Sequence, residues 1–179
     1  MFVQVASRRR TGESVRAEYP DAEVVDVTSR GPEPWVRLSP FYPHGGIPVP
    51  FTPGVESASV EGIWQALKVF DGADVDPAKL AVTTMKGIKR TVRGHGPVLG
   101  HRAGLRGDRL LDYATARRDI YLPSYGWMLT HRAAPQVTAL RRLATTQGLV
   151  LLDYTTNGDV TDLSTPLSHA ALVAHHLAS

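Results

Sequence analysis

This sequence predicts an α+β fold, mostly helical with a few short strands, and three observations carry that expectation. The Val-rich segments Phe2–Ala6 and Ala22–Val27 and the apolar run Gly148–Tyr154 have the length and bounding turns of strands. Ser59, Asp76 with Pro77, Pro135 and Pro166 each open a segment with helical start signals. Prolines and glycines crowd residues 31–54 and 86–104, which forbids helix in the first stretch and makes the second a basic, glycine-rich connector.

In order, residues 31–54 read as extended pieces, either an ordered loop lining something or a linker; their aromatics with Ile47 and Val49 favour the loop. SVEGIWQALKVF, Ser59 to Phe70, reads as a helix, and a second runs from Asp76 to near Gly87. Arg109–Tyr121 is helical, Pro123 ends or kinks it, and Tyr125–His131 continues. Pro135 opens a helix to about Thr146, and a last one runs from Pro166 to near Leu177. Residues 1–30 are expected to form an extension of two short strands packed on a single domain of residues 31–179.

The 179 residues, 42% hydrophobic and 21% charged, suit one globular domain rather than a disordered chain. Twenty Lys and Arg against 17 Asp and Glu leave a net charge of +3, which suits a phosphate-bearing ligand without demanding nucleic acid. With no cysteine, disulfides, thiolate metal sites, cysteine nucleophiles and iron–sulfur clusters are excluded. The apolar run before Arg8–Arg10 is too short for a secretory signal, and no segment reaches the ~18 apolar residues of a membrane span. A cytoplasmic protein with no membrane partner is expected. Arg8–Arg10 read as a solvated basic stretch or a nucleic-acid arm.

On the Ser59–Phe70 helix, Val60, Ile63, Trp64, Ala66, Leu67 and Phe70 fill one broad apolar arc. Glu61, Gln65 and Lys68, at i, i+4 and i+7, form a narrow polar stripe beside Trp64. Such a stripe is either a solvated edge or a reactive row. Glu61 lies in the first turn, where the helix terminus favours a carboxylate, and a carboxylate beside an aromatic wall suits a base or a cation stabiliser.

SVEGIWQALKVF resembles the signature helix of the NADAR (YbiA-like) superfamily, through Ser59, Glu61, Gln65, Ala66, Lys68 and Phe70. RLSPFYP (Arg37–Pro43), MKGIKR, YATARRDIY (Tyr113–Tyr121) and LVLLDYTTNGD (Leu149–Asp159) are similar, in order, to that family's later and flanking segments. The likeness spans about residues 35 to 175. Gly62 stands where the family has His, Pro40 where it has Asn, and Ser168–Ala170 replace a late Asn-containing motif, which marks a divergent branch.

The resemblance implies a NADAR-like domain and an N-glycosidase, a hydrolase cleaving the C1′–N bond of a ribosylated or ADP-ribosylated base or amine, with no cofactor and no metal. That bond breaks through an oxocarbenium-like transition state, which needs a carboxylate, a donor to the leaving nitrogen and cations for phosphate. Glu61, Lys68 and Asp153 are the expected catalytic residues; Lys68 is either a Schiff-base nucleophile or a phosphate or ring-oxygen contact. Arg37, Ser39, Trp64, Gln65, Lys89, Arg90, His101, Tyr113, Arg117, Asn157, Asp159 and Ser168 are the expected substrate contacts. Packing or turn chemistry accounts equally for Asp153, Asn157, Asp159 and Tyr113. The expected partner is a small phosphorylated nucleoside or an ADP-ribosylated substrate. Two rival readings are an ADP-ribosyl-guanine hydrolase acting on nucleic acid and a non-catalytic nucleotide-binding regulatory module. The histidines offer no helical pair with a partner carboxylate, so no metal site is expected.

Overall fold

The computed structural model describes residues 2–179. In chain order the elements are β1 (Val3–Ser7), α1 (Gly12–Glu18), β2 (Glu23–Asp26), a 3-10 turn (Trp35–Leu38), β3 (Ile47–Pro48), β4 (Glu56–Ser57), α2 (Val60–Leu67), β5 (Lys68–Phe70), a second 3-10 turn (Pro77–Ala81), α3 (Val92–His95), β6 (Val98–Arg102), β7 (Leu110–Leu111), α4 (Tyr113–Ala116), a π-helical turn (Arg117–Tyr121), α5 (Leu122–His131), α6 (Ala134–Thr146), β8 (Leu149–Asp153) and α7 (His169–Ala178). The fold is mixed α+β, with helix outweighing strand. Among the described residues, no helix is long and apolar enough to cross a membrane.

Contacts divide the chain into two compact units. One joins the residues up to Ser39 with Leu129–Ser179, and the other is Pro40–Met128. The sequence places a break after residue 30 instead. The difference arises because β1 and β2 pair in parallel on either side of β8, giving the order β1-β8-β2. Leu149, Val150 and Leu151 are fully buried, as a central parallel strand covered on both faces requires. Val15 of α1 packs on Ala6 and Val150, while α6 and α7 also lie against β8.

At the carboxyl end of β8 the buried Asp153 ties the strand to α7. Its Oδ1 accepts from the Tyr154 backbone N–H at 2.7 Å, and its Oδ2 accepts from Ser168 Oγ at 2.8 Å and the Ala170 N–H at 3.2 Å. His169 Nδ1 lies 3.0 Å from the same Oδ2, with its Nε2 2.9 Å from the Val27 carbonyl. Burial pushes the Asp153 carboxyl up, but His169, Ser168 Oγ and the Ala170 N–H together hold it below the usual range. Ser168 is also the N-cap of α7, accepting from Ala171 N–H at 3.1 Å. The last helix therefore starts at His169 rather than at Pro166.

In the second unit β5, β6 and β7 form an antiparallel sheet, with a bulge between Val69 and Phe70. Helix α2 begins as its sequence predicts, with Ser59 Oγ accepting from Gly62 N–H at 3.0 Å. It ends at Leu67, not Phe70. Lys68 turns to extended backbone (ψ 133°), and Lys68–Phe70 pairs with β6, where Val69 and Phe70 suit a strand. The helix expected from Asp76 is only a 3-10 turn, since Val82, Thr83 and Thr84 follow it and Met85 and Gly87 have positive φ. The basic connector holds α3 and β6. The expected helix from Arg109 starts at Tyr113, capped by Asp112 Oδ1 accepting from Thr115 N–H at 2.7 Å, after β7 has used Leu110 and Leu111.

Pro123 does not end its helix. In the π-helical turn before it the Leu122 N–H reaches the Arg117 carbonyl five residues back, and Ser124 Oγ donates to the Ile120 carbonyl at 2.7 Å. This widened turn accommodates a residue with no N–H.

At Gly62, α2 packs closely on its neighbours. A Cβ there would lie 2.8 Å from the Lys79 carbonyl oxygen and 2.9 Å from Ser57 Oγ, so α2 sits on the second 3-10 turn at a distance only glycine allows. Gly62→Ala is expected to lose about 1–3 kcal/mol of stability, read by urea denaturation. An unchanged midpoint and slope would contradict this packing account.

Candidate functional site: the polar stripe of α2 and an aromatic cleft

The stripe predicted on the Ser59–Phe70 segment is withdrawn from solvent at Glu61 and Gln65 rather than solvated. Glu61 is 7% exposed and Gln65 3%. Gln65 Nε2 donates to Glu61 Oε1 at 2.8 Å, and Gln65 Oε1 accepts from the Arg90 backbone N–H at 2.9 Å. The Arg90 side chain donates to the carbonyls of Gln65 (3.2 Å), Lys68 (2.6 Å) and Asp74 (2.7 Å), and its guanidinium lies 4.9 Å from the Phe70 ring centroid. A cation at these carbonyls satisfies the acceptors left open at the end of α2. Arg90, an expected substrate contact, is thus a clamp on the helix-to-strand turn.

Burial raises the Glu61 carboxyl pKa above its ordinary value, against the Gln65 hydrogen bond and the charges of Lys89 and Lys68. Burial also lowers the Lys68 amine, against the pull of Glu61; Lys89 and Arg90 push it the same way as burial. Among the described residues, Glu61 Oε2 and Lys68 Nζ make no hydrogen bond. A carboxyl and an amine whose charged forms are both disfavoured can exchange a proton at little cost.

Beside Lys68 opens a cleft of about 330 Å³, lined by Trp64, Lys68, Val98, Leu99, Gly100, His101 and Tyr113. The Trp64 and His101 rings lie 3.7 Å apart between centroids, at 34°. Tyr113 and Tyr121 meet Trp64 edge-on at 5.9 and 5.7 Å, and Tyr121 stacks on Tyr125 at 6.0 Å. His101 is opposite Lys68 in the β5–β6 register. Both His101 ring nitrogens are buried without a hydrogen-bond partner. Burial, with the Lys68 charge, pushes the imidazole down to about 3, and the Trp64 carbonyl opposes this from outside hydrogen-bond geometry. The ring is therefore neutral at ordinary pH.

Arg117 is buried. It donates from Nη2 to Tyr113 Oη at 3.1 Å and lies 4.9 Å from the Tyr113 ring centroid, so it supports the cleft wall. Lys89 is exposed over Phe41 at 5.4 Å. Arg102 is held by Asp74 at 3.2 Å and the Asp108 carbonyl at 2.9 Å. Glu61, Trp64, Gln65, Lys68, Lys89, Arg90, His101, Tyr113 and Arg117 thus all fall in one unit.

The remaining expected residues belong to the other unit. Asp153 and Ser168 anchor α7 as described. Asn157 Nδ2 donates to the carbonyls of Asp162 (3.1 Å) and Thr165 (3.2 Å), and Asp159 Oδ1 accepts from Thr161 N–H at 2.8 Å, which makes both organisers of their loop. Arg37 pairs with Glu33 at 2.9 Å on the surface, and Ser39 is buried at the end of the first 3-10 turn. Sequence reasoning misses Val98, Leu99 and Gly100. Their strand is masked by glycines, and the only signal is the short VLGHR run itself. Gly100 has φ +153°, and a Cβ there would lie 2.4 Å from the Leu111 carbonyl, so glycine lets β7 approach. Among the described residues, no three His, Asp or Glu side chains are grouped to hold a metal ion.

The depressed His101 pKa ties stability to pH. The folded chain binds fewer protons at His101 than the unfolded chain between about 6.5 and about 3. Its contribution is complete above that window and is lost as pH falls through it, at up to about 1.4 kcal/mol per pH unit. Urea stability of wild type is expected to fall more steeply than that of His101→Phe between pH 6.5 and 4. Parallel pH profiles would contradict the assignment.

No curated protein and no solved structure matches the chain. A family of unknown function (DUF6939) has a sequence model that matches residues 7–173. The chain belongs to this family.

Proposed function

We propose that this protein is an N-glycosidase that hydrolyses the C1′–N bond of a small, phosphorylated, ribosylated or ADP-ribosylated base or amine. The observation that carries the reading is the pair Glu61 and Lys68, a carboxyl and an amine in mutual electrostatic reach, each buried against its charge at the side of an aromatic cleft. The resemblance of the α2 segment to the NADAR signature helix points the same way.

In this reading the C1′–N electron pair leaves with the nitrogen, which takes a proton from the Lys68 ammonium. Water attacks C1′ and gives its proton to the Glu61 carboxylate, which also opposes the positive charge developing at C1′ and the ring oxygen. Proton return from Glu61 to Lys68 restores the starting state. Lys89 is the cation for a phosphate. Arg90, Arg102 and Arg117 are engaged within the chain, and Lys89, whose charge reaches both Glu61 and Lys68, is the cation placed for the phosphate of a small substrate. Such phosphorylated compounds suit a cytoplasmic setting.

The test is a mass-spectrometric search for released base from ribosylamino-pyrimidine phosphates and ADP-ribosylated guanine nucleotides. Wild type is expected to release free base, and Glu61→Gln to be slower by roughly 10²-fold or more. No release from any of them, or equal rates for Glu61→Gln, would overturn the proposal. Binding without release would favour the regulatory-module reading.

A further inference from the structure

Lys68 belongs to two surroundings at once. Its charge interacts with Glu61 and Lys89, neither of which lines the cleft, and its side chain lines the aromatic cleft. The two surroundings differ in chemistry. The first carries the carboxylate and the exposed Lys89. The cleft walls are ring faces and aliphatic side chains, with Lys68 Nζ as the one charged group among the lining residues.

The cleft is also apolar where solvent would make it polar. Tyr113, Val98 and Leu99 on its lining are 43%, 44% and 51% exposed. Exposed large apolar groups gathered around a concavity mark a binding surface. His101 adds a second sign. It is 1% exposed, both ring nitrogens lack partners, and it forms part of the cleft wall. A buried polar group left unpaired in the free protein needs an explanation, and a ligand that completes it is one. Alongside, β6 has β5 as partner at Val98 and Gly100, whereas β7 pairs only with His101 and Arg102. The strand edge beyond the reach of β7 can offer main-chain donors and acceptors to a flat ligand.

From this we infer that the cleft is the seat of the leaving base: a planar heteroaromatic ring stacks on the exposed Tyr113 ring beside Trp64 with a carbonyl or ring-nitrogen acceptor toward Lys68, while the sugar and phosphate lie toward Glu61 and Lys89. The inference rests on the glycosidase reading for the word leaving, and on the cleft alone for the ring. It orders the substrate along α2, with the scissile bond beside Lys68. The neutral imidazole of His101 suits an uncharged ring, and the volume of about 330 Å³ lies at the small end of ligand pockets, ample for one planar base.

The full chain, labelled at the tryptophan indoles and histidine rings, is titrated with guanosine, with cytidine and with ribose 5-phosphate, and followed by NMR. At least one nucleoside is expected to shift the Trp64 indole and His101 ring signals saturably, and ribose 5-phosphate to leave them in place. Tyr113→Ala and, separately, Leu99→Ser, both at exposed positions, are expected to raise the nucleoside Kd by about fivefold or more, the scale of a lost stacking contact. Equal shifts with ribose 5-phosphate, no shift with either nucleoside, or unchanged Kd in both variants would overturn the inference. Nucleoside-dependent shifts in a protein that releases no base from any glycosylated substrate sink the glycosidase reading and keep the cleft as a ring-binding site. Base release without these shifts does the reverse.

Discussion

The Gln65–Arg90 clamp is the interaction on which the candidate site depends. Gln65 joins three things: its side-chain amide donates to Glu61 and accepts from the Arg90 backbone N–H, and its backbone carbonyl receives the Arg90 guanidinium. The same guanidinium closes the carbonyls of Lys68 and Asp74. This fixes where α2 stops and β5 starts, and so where Lys68 stands. Removing either partner would leave buried polar groups open, at a cost of about 1–3 kcal/mol each. The basic connector thereby contributes a structural cation, and its charge is spent on the backbone.

Two buried carboxyls in this chain differ in how fully they are held. Asp153 has partners on both oxygens, and they outweigh its burial, so it is held ionised. Glu61 has one hydrogen-bonded oxygen, and burial outweighs its partners. A group whose pKa is raised adds stability at low pH and loses it as pH rises through the raised value, so ionising Glu61 works against folding. Together with the orphaned nitrogens of His101, this concentrates unfavourable electrostatics in one place, the pattern that active sites show.

Much of the fold was legible because hydrophobic period and turn residues reported it directly. The Val-rich strands, the β8 run, α6, and Ser59 as an N-cap all followed from such local signals. The stripe of Glu61, Gln65 and Lys68 followed from helical spacing alone. The end of α2 was hidden because Phe70 continues the apolar arc of the helix, while the choice of strand is made by β6, more than 25 residues later in the chain. β6 itself was masked by glycines that read as loop, one of which serves the approach of β7. Asp153, at a strand end, has a sequence signature shared by caps and catalysts; only its partners decide. Arg90 and Arg117 read as free cations because sequence gives charge and not burial.

The central claim is that Glu61 is a buried carboxyl, held by Gln65 and poised to take a proton. A carbon-13 titration of the Glu61 side-chain carboxyl, in wild type and in Gln65→Met, tests it most directly. The account predicts a wild-type midpoint above the ordinary glutamate value, and a higher one still in Gln65→Met, where the hydrogen bond favouring the charged form is gone. An ordinary or depressed midpoint that ignores Gln65 would contradict it.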